Sequence, residues 1–352
     1  MLTRLTIRNL RCYQEFTFSI TARATAFLGP NGRGKTTLLE ALYLLGRLRS
    51  FRSATVRDLV RTGEKGLAVE GTFEHEAHTV LRVVWEYGAR RLEIDGNDRA
   101  TLGEFWGRFP VVVFRNEDRA LAAGPDSLRR RWADALLAST QPTYLALAQR
   151  AHQLLRQRAT LLRGERPDRG LWEALVTQLD PLTAQMSEAR STFASTVASP
   201  RVAEVYAALT GRAEALSLIY QADWVSTQSL SLDGLWEREV RSRAVIRGPH
   251  RDGWELRLDG QPLRTHGSEG QQKGAALALR LVEADTLRVP GSPRPTLLFD
   301  DVWNDLDGER RERFWGAVPT DCPWFLATTE KAHLPSVVGL HDWVLPERNE
   351  LR

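Results

Sequence analysis

Residues 29–36 read GPNGRGKT; they follow a short apolar run at 24–28 and precede leucines at helical spacing. The segment matches the phosphate-loop pattern G-x-x-x-x-G-K-[ST] in the strand, loop and helix context that this pattern requires. Glycines let backbone N–H groups turn toward phosphates, and the helix N-terminus adds positive potential. The sequence therefore predicts a P-loop nucleotide site in an α/β fold. The predicted nucleotide-binding residues are Gly29, Pro30, Asn31, Gly32, Arg33, Gly34, Lys35, Thr36 and Thr37.

Two residues of this loop carry specific chemistry. Lys35 is predicted to reach the β- and γ-phosphates and to act in catalysis, and the Thr36 hydroxyl is predicted to ligate Mg²⁺. Lysine is rare in this chain, because 44 of the 48 basic residues are arginine. The lysines at 35 and 273 are therefore informative, since each lies inside a motif.

A run of apolar residues at 296–299 ends in two aspartates, Asp300 and Asp301. A double aspartate is equally typical of a strand that ends in a plain turn. A P-loop, however, needs a carboxylate at the end of a neighbouring strand to hold the magnesium ion, and Asp300 fits that place. Asp301 is predicted to orient the attacking water and to accept its proton. Together the motifs predict hydrolysis of ATP with Mg²⁺.

The segment SEGQQK at 268–273 opens a predicted helix that leads into the aspartate strand. ATP-binding-cassette ATPases carry their signature sequence at this point of the chain. A serine and a glycine at a helix N-terminus offer hydroxyl and N–H donors to a γ-phosphate. As a bare pattern, S-x-G-Q would indicate only a capped helix; in this order we expect it to bind the phosphate held by a second subunit. The predicted signature residues are Ser268, Gly270, Gln271 and Lys273.

The P-loop and the aspartate strand are far apart, with Thr36 and Asp300 separated by 264 positions. Between these two motifs, strand-like alternation comes first and is followed by amphipathic helices with little β patterning. The α/β pattern then returns before the aspartate strand. We therefore predict an ATP-binding-cassette head, a mixed sheet with flanking helices, at 1–125 and 240–352. A mainly helical, arginine-rich inserted lobe is predicted at 126–239.

The inserted lobe carries an excess of positive charge. Residues 128–170 contain nine arginines against three acids, a net of +6 that exceeds the +4 of the whole chain. Scattered charges usually indicate a solvated helix face, but an excess concentrated in one element favours contact with a polyanion. Composition alone does not establish a nucleic-acid partner. The DNA contacts predicted from this segment are Arg156, Arg158 and Arg163.

Composition also disfavours several classes of protein. Cys12 and Cys322 are the only cysteines, too few for a disulfide framework or a zinc site, which points to a reducing compartment. No apolar stretch reaches the length of a membrane span, and arginines interrupt the first twenty residues, where a signal peptide would lie. We therefore expect a soluble, cytoplasmic protein without a membrane partner.

Motifs along nearly the whole chain resemble the RecF family, bacterial ATP-binding-cassette ATPases related to the heads of chromosome-maintenance (SMC) proteins. The matching segments are LTIRNLRCYQEF, GPNGRGKTTLLEALYLLGRLRSFR, FRNED, GPDSLRRRWAD, GPHRDG at 248–253, SEGQQK and LLFDDVWNDLD at 297–307. The GPHRD and arginine-bearing segments separate this family from transporter ATPases and from coiled-coil chromosome ATPases. The resemblance is therefore more specific than the P-loop alone.

The resemblance implies an ATPase whose two subunits close around ATP on DNA and separate after hydrolysis. It implies binding to duplex DNA and to gapped DNA or single-strand/double-strand junctions, in recombinational repair and replication-gap processing. It also implies a RecR-like partner, with which the protein promotes recombinase loading on gapped DNA. Asn304 and Asp307 are the implied residues of the D-loop, the segment expected at the dimer interface.

The chain departs from the family pattern at several positions. FRNED lacks the usual proline, GPHRDG ends in glycine where aspartate is common, and Asn304-Asp305 replaces Ser-Glu in the D-loop. None of these changes removes a phosphate or metal ligand. At 327–329 no histidine stands where many cassette ATPases place one beside the γ-phosphate, and the predicted base is aspartate instead of glutamate. Both features predict a slow ATPase, which we expect DNA to stimulate.

Other interpretations stay open at this point. The chain could be another SMC-like cassette ATPase, or a nucleotide-gated DNA clamp with negligible turnover. Turnover measured with and without DNA separates an enzyme from such a clamp. A transporter motor is disfavoured, because it would show a longer, leucine-led signature and would not need the arginine-rich insertion. His250 and Arg251 are explained equally well by a Gly-Pro turn held by local hydrogen bonds and by a contact to nucleotide or DNA.

Overall fold

The structure, a computed structural model, describes residues 1–74, 78–223, 230–302, 308–329 and 340–344. The chain divides into two units. The head unit comprises Met1–Glu117 and Glu283–Arg352, and the inserted unit is Asp118–Val282. The predicted class, an α/β ATPase head interrupted by a second lobe, is confirmed in its α/β character.

An antiparallel sheet forms one layer of the head unit. Its strands are β1 (Leu2–Leu10), β2 (Tyr13–Ser19), β4 (Gly66–Glu74), β5 (His78–Glu86) and β6 (Ala89–Ile94). They lie in the order β2-β1-β4-β5-β6. Buried and more exposed residues alternate along β1 and β4, as expected of a sheet with one face on the core and one in solvent. The short helix α2 (Leu102–Phe105) follows the sheet, and a capping box of Thr101 and Glu104 opens it.

A parallel sheet forms the second layer and carries the P-loop. Its strands are β3 (Ala24–Leu28), β7 (Val111–Arg115), β11 (Thr296–Asp300), β12 (Trp324–Thr328) and β13 (Leu340–Val344), in the order β13-β3-β12-β11-β7. The strands β3 and β12 are wholly buried apolar runs, the pattern of a parallel sheet covered on both faces. The helix α1 (Lys35–Arg47) packs five buried leucines into this core: Leu38, Leu39, Leu42, Leu44 and Leu45. The helix α11 (Gly308–Ala317) also belongs to this unit.

The inserted unit is mainly helical. Its helices are α3 (Arg119–Ala123), α4 (Asp126–Thr140), α5 (Pro142–Arg163), α6 (Arg169–Phe193), α7 (Ser199–Thr210), α8 (Leu232–Ser242) and α9 (Leu263–His266). The helix α10 (Glu269–Thr286) begins in this unit. Local signals set the ends: the Asp168 side chain caps α6, and Gly211 ends α7 in the left-handed conformation. No helix among the described residues has both the length and the apolar character needed to cross a bilayer.

The inserted unit is larger than the lobe predicted at 126–239, and it is not only helical. It contains a three-stranded sheet of β8 (Leu216–Gln221), β9 (Gly253–Leu258) and β10 (Gln261–Pro262), in the order β10-β9-β8. β9 pairs with β8 over its whole length, so the segment after 248 folds with the helices. The prediction assigned 240–282 to the head because its hairpin alternation resembles the β-rich head, and the strand pairing that decides its place is non-local.

Candidate nucleotide-binding site

The P-loop connects the buried end of β3 to the first turn of α1. Gly34 precedes α1 with φ 90°, and a Cβ there would lie 2.7 Å from the Tyr13 hydroxyl and 2.9 Å from the Cys12 sulfur. Only glycine fits this position, for both backbone and steric reasons. No side chain caps α1 at this end. The N–H groups of the first turn therefore remain available to a phosphate.

Lys35 lies inside the curve of the loop and is buried. Its Nζ donates hydrogen bonds to the Gly29 carbonyl at 2.6 Å and the Pro30 carbonyl at 3.0 Å. Burial lowers the pKa of this ammonium, and the charges of Asp301 and Asp300 oppose that shift. The arrangement holds a cation where the loop glycines would cradle phosphates, which is the place that the sequence predicts for it.

Thr36 and Asp300, 264 positions apart in the chain, meet in the structure. The Thr36 Oγ1 donates a hydrogen bond to the Asp300 Oδ1 at 2.8 Å. The contact forms because β12 alone separates β3 from β11, so both parallel strands end at the same edge of the sheet. A hydroxyl and a carboxylate are hard oxygen donors of the kind that Mg²⁺ prefers, so the donor set fits the predicted metal.

Asp300 is a poorly solvated carboxylate. Burial raises its pKa to about 6, against the hydrogen bond from Thr36, which favours the ionised form. The neighbouring charges of Asp301 and Glu117 also raise the pKa, while that of Arg52 lowers it. A bound cation would relieve this concentration of negative charge.

Asp301 follows β11 in the left-handed conformation, with φ 47°. Aspartate tolerates this region better than bulkier residues do. The end of β12, between the two motif strands, is Thr328, which is buried and lies beside Leu28 in the β3 register. The position that a histidine would occupy in many cassette ATPases therefore belongs to the sequence Thr328-Thr329, as expected.

A buried carboxylate on α1 was missed by the sequence analysis. Glu40 is fully buried and accepts hydrogen bonds from Arg11 Nη2 at 3.0 Å and from Ser50 Oγ at 2.6 Å. Arg11 also donates to Ser53 Oγ at 2.8 Å. These hydrogen bonds connect the β1–β2 turn and the segment after α1 to Glu40 on α1. The available signal is an acidic residue between the buried Leu39 and Ala41, where a solvated face is not expected.

The signature segment lies in the inserted unit and opens α10 with a capping box. Ser268 Oγ accepts from the Gln271 N–H at 3.3 Å, and the Ser268 N–H donates to Gln271 Oε1 at 2.7 Å. Gln271 also donates to Glu214 at 3.0 Å, and Lys273 lies 3.6 Å from Glu269. Ser268 is exposed, and the first turn that contains Gly270 follows it. The predicted D-loop residues Asn304 and Asp307 lie outside the described residues.

Arg158 does not lie on the surface, so its prediction as a DNA contact is wrong. Its side chain is 0 % exposed, and its Nε donates to Glu239 Oε2 at 2.8 Å. The guanidinium lies over the Trp172 ring at 5.4 Å. On α5, residue 158 falls on the face of the buried Leu154 and Leu162, four positions away on either side. This spacing was visible in the sequence and indicates a buried residue.

Glu239 compensates the buried Arg158 charge and also accepts from Trp172 Nε1 at 2.9 Å and the Ile246 N–H at 2.8 Å. Glu239→Gln is expected to lower the free energy of unfolding by about 2 kcal/mol, because the guanidinium loses its counter-charge. Urea unfolding followed by circular dichroism measures the change. Glu237→Gln, exposed on the same helix, is the matched control, with a change under about 0.5 kcal/mol. Equal losses in the two variants would contradict the assigned role of Glu239.

Other arginines of the positive segment also point inward. Arg129 is buried and donates to the Leu121 carbonyl at 3.0 Å and the Ala122 carbonyl at 2.8 Å, and Arg130 donates to the Asp252 carbonyl. Arg156 and Arg163 are exposed. Arg156 also lines a surface groove of ≈ 730 Å³ whose other lining residues are uncharged. The surface excess of charge is therefore smaller than the sequence suggests, and it centres on α5 and the loop after it.

The GPHRDG segment is held by local contacts. Asp252 is fully buried and accepts from Arg190 Nη1 at 2.5 Å and from the Tyr220 hydroxyl at 2.6 Å. His250 Nε2 donates to the Val245 carbonyl at 3.2 Å, and burial lowers the pKa of the imidazole. Arg251 lies 3.7 Å from Asp223. These contacts favour the structural interpretation of the segment as a turn.

Comparisons with known proteins show the family of this chain. The family model described as "RecF/RecN/SMC N terminal domain" matches residues 1–321. "DNA replication and repair protein RecF" of Synechococcus sp. (strain JA-3-3Ab) is 33% identical over 343 residues, covering 91% of this chain and 89% of that protein. The protein of the same description in Moorella thermoacetica (strain ATCC 39073 / JCM 9320) is also 33% identical, covering 100% and 96%.

Solved structures share the fold. "Structure of the recombination mediator protein RecF-ATPrS in RecFOR pathway" aligns with a TM-score of 0.82 at 23% identity, over 97% of each chain. "Structure of the recombination mediator protein RecF-ATP in RecFOR pathway" aligns with a TM-score of 0.81 at 24% identity, over 94% of each chain. The cassette-ATPase fold expected from the sequence is confirmed.

Proposed function

Because this chain belongs to the RecF family of DNA replication and repair proteins, we propose that ATP and Mg²⁺ join two copies of it on DNA and that slow hydrolysis releases them. The observation that carries the proposal is the Thr36–Asp300 hydrogen bond, which unites the P-loop and the aspartate strand in one oxygen-rich site. The names of the two solved neighbours mention ATP or ATPrS, in agreement with this site.

Each nucleotide-site residue has a defined task in the proposal. Residues 29–37 wrap the phosphates, Lys35 neutralises their charge, and Thr36 with Asp300 holds the metal, which offsets negative charge on the transferred phosphoryl group. Asp301 orients the attacking water and takes its proton. Turnover is slow because aspartate is a shorter base than glutamate and because Thr328-Thr329 offers no imidazole.

The second subunit completes the site in this proposal. Ser268 and Gly270 present a hydroxyl and a helix N-terminus to the γ-phosphate of the partner's ATP, with Gln271 and Lys273 beside them. The support for this assignment is that Ser268 is exposed at the start of α10 and that a capping box with Gln271 holds its segment. Asn304 and Asp307 are assigned to the same interface from the family pattern.

In the cell, the proposed role is to mark gapped DNA in the cytoplasm and, with a RecR-like mediator, to promote recombinase loading there. The neighbours' names place those proteins in the RecFOR pathway, which supports such a partner. A nucleotide-gated clamp with negligible turnover is the second candidate, favoured by the absence of histidine at Thr328-Thr329. ATP turnover with and without gapped DNA distinguishes the two.

DNA binding is assigned to the exposed arginines of α5, and this gives the test of the proposed function. Duplex affinity should require ATP and fall steeply with salt, because each neutralised phosphate contributes about 0.9 to the slope of log affinity against log salt. Arg156→Ala with Arg163→Ala should flatten the slope by up to about 1.8 per subunit. Fluorescence anisotropy of labelled duplex at several salt concentrations measures it.

Arg169→Ala is the matched control for this experiment. Arg169 is about as exposed, but it is paired with Glu173 at 2.9 Å and with Asp233. Its loss should leave the slope unchanged. A double variant that binds like wild type would place the DNA surface elsewhere, and absence of ATP-dependent DNA binding in the wild type would overturn the proposed function itself.

A further inference from the structure

Three tight turns of this chain share one backbone conformation. Tyr87-Gly88, Asp95-Gly96 and Asp259-Gly260 have paired φ angles of 50° and 82°, 51° and 82°, and 49° and 78°. Positive φ at two consecutive residues is the type I′ pattern of tight hairpins, which prefers Asn-Gly or Asp-Gly. Two of the turns follow this preference. The third places a tyrosine where a bulky side chain is strained.

The side chain of each aspartate stabilises its turn by accepting a backbone hydrogen bond. Asp95 Oδ1 accepts from the Val80 N–H at 2.7 Å, and Asp259 Oδ1 accepts from the Ala215 N–H at 2.8 Å. Tyr87 makes no hydrogen bond, ring contact or ion pair among the residues that the structure describes. Tyr87 therefore has no described contact that would stabilise a tyrosine at this turn. A residue that stays in a strained conformation without such a contact indicates a functional role.

Tyr87 is the most exposed large hydrophobic side chain in the described part of the chain, at 75 %. It lies at the tip of the β5–β6 hairpin, where Glu86 pairs with Ala89 and Trp85 pairs with Arg90. The hairpin is well anchored on its other side, because β5 pairs with β4 along nine residues. The ring therefore lies at the turn of a paired hairpin and not in an irregular loop.

The charges around the ring favour an anionic partner. Lys65, next to the Gly66–Glu86 pair, and Arg90 are exposed, and neither has an ion-pair partner among the residues described. Part of the Arg90 guanidinium is nevertheless shielded from water, since burial lowers its pKa. Glu86 at the tip and Glu64 beside Lys65 are exposed carboxylates; Glu64 accepts a hydrogen bond from Asn9 at 3.3 Å, and Glu93 is engaged by Arg91 at 3.0 Å and Arg82 at 3.2 Å. An exposed aromatic ring with cations at neighbouring register positions is the combination that binds single strands, where bases stack on the ring and cations follow the phosphates.

We propose that the Tyr87 hairpin tip is a stacking platform for an unpaired base in the single-stranded part of gapped DNA, with Lys65 and Arg90 beside the adjoining phosphates. The inference rests on the proposed DNA-binding function and adds to it a contact that recognises strand state. A duplex hides the faces of its bases, so only unpaired nucleotides can use the ring. A protein partner is less favoured, because Lys65, Glu86 and Arg90, which are exposed at neighbouring register positions, are charged.

Tyr87→Asn tests the proposal without harming the fold, since Asn-Gly is a preferred type I′ pair and the melting temperature should be equal to or above that of wild type. Affinity for a labelled single-stranded oligonucleotide should fall roughly tenfold, and duplex affinity should be unchanged. Tyr87→Phe keeps the ring and should bind like wild type. Ultraviolet crosslinking of an oligonucleotide that carries 5-iododeoxyuridine should join Tyr87 to the base, with the adduct mapped by mass spectrometry.

The outcomes separate this inference from the proposed function. If the wild type binds neither single-stranded nor duplex DNA, the proposed function fails first. If it binds single strands and Tyr87→Asn binds them equally well, the stacking platform alone is wrong. Equal losses on single strands and duplex, or an unchanged DNA affinity with weakened self-association or RecR-like binding, would also overturn stacking by Tyr87.

Discussion

Ser268→Arg should abolish ATP-dependent dimerisation while a single subunit still binds ATP. Ser268 lies in the inserted unit, whereas the P-loop lies in the head unit, and the proposed site uses one from each subunit. The substitution removes the hydroxyl donor and fills the approach to the α10 N-terminus with a long side chain. Light scattering with no nucleotide, with ADP and with ATP measures association, and titration with a fluorescent ATP analogue measures binding.

Ser231→Arg provides the control for the loss of a helix cap. Ser231 caps α8 in the same unit, with its Oγ accepting from the Gly234 N–H at 3.1 Å, and it is also exposed. Each substitution should cost about 1 kcal/mol of helix stability. The control should nevertheless dimerise normally with ATP. Normal dimerisation of Ser268→Arg would refute the role of Ser268 across the interface.

The arrangement of the candidate nucleotide site could be predicted because its parts follow local rules. A glycine loop between a buried strand and a helix defines residues 29–36, and an apolar run that ends in aspartate defines Asp300. Parallel strands then bring their carboxyl ends to one edge, which accounts for the 2.8 Å contact between Thr36 and Asp300. The capping box at Ser268 is equally local, because its two partners are three residues apart.

The burial and the ion-pair partners of the arginines could not be predicted in this way. Arg158 binds Glu239, which lies 81 positions away in the chain, and Arg190 binds Asp252, which lies 62 positions away. Neither partner can be identified from the residues near each arginine in the sequence. A count of charges treats a buried ion pair and a solvated arginine alike. The predicted boundary of the inserted unit differs from the structure for the same reason, because β9 is placed by its pairing with β8 and by the hydrogen bond from Arg129 to the Trp254 carbonyl.

Asp301→Asn and Lys35→Met should separate ATP hydrolysis from ATP binding. The first variant is expected to lose hydrolysis and keep binding, and the second is expected to lose binding itself. Asparagine cannot accept the proton of the attacking water, so turnover should fall roughly 10²- to 10⁴-fold. ATP binding should persist and the ATP-bound dimer should become long-lived. Methionine at 35 removes the ammonium that now donates to the Gly29 and Pro30 carbonyls, so nucleotide affinity itself should be lost.

Single-turnover hydrolysis, equilibrium binding of labelled ATP and the lifetime of the dimer after dilution distinguish these failures. The two carboxylates act at different places, because Asp300 is bonded to Thr36 while Asp301 lies beyond the strand at φ 47°. Asp300→Asn should therefore weaken binding mainly by raising the Mg²⁺ concentration that is required, which Asp301→Asn should not do. Equal loss of nucleotide affinity in Asp301→Asn and Lys35→Met would show that Asp301 holds the nucleotide, and the assignment of Asp301 as the base would then be wrong.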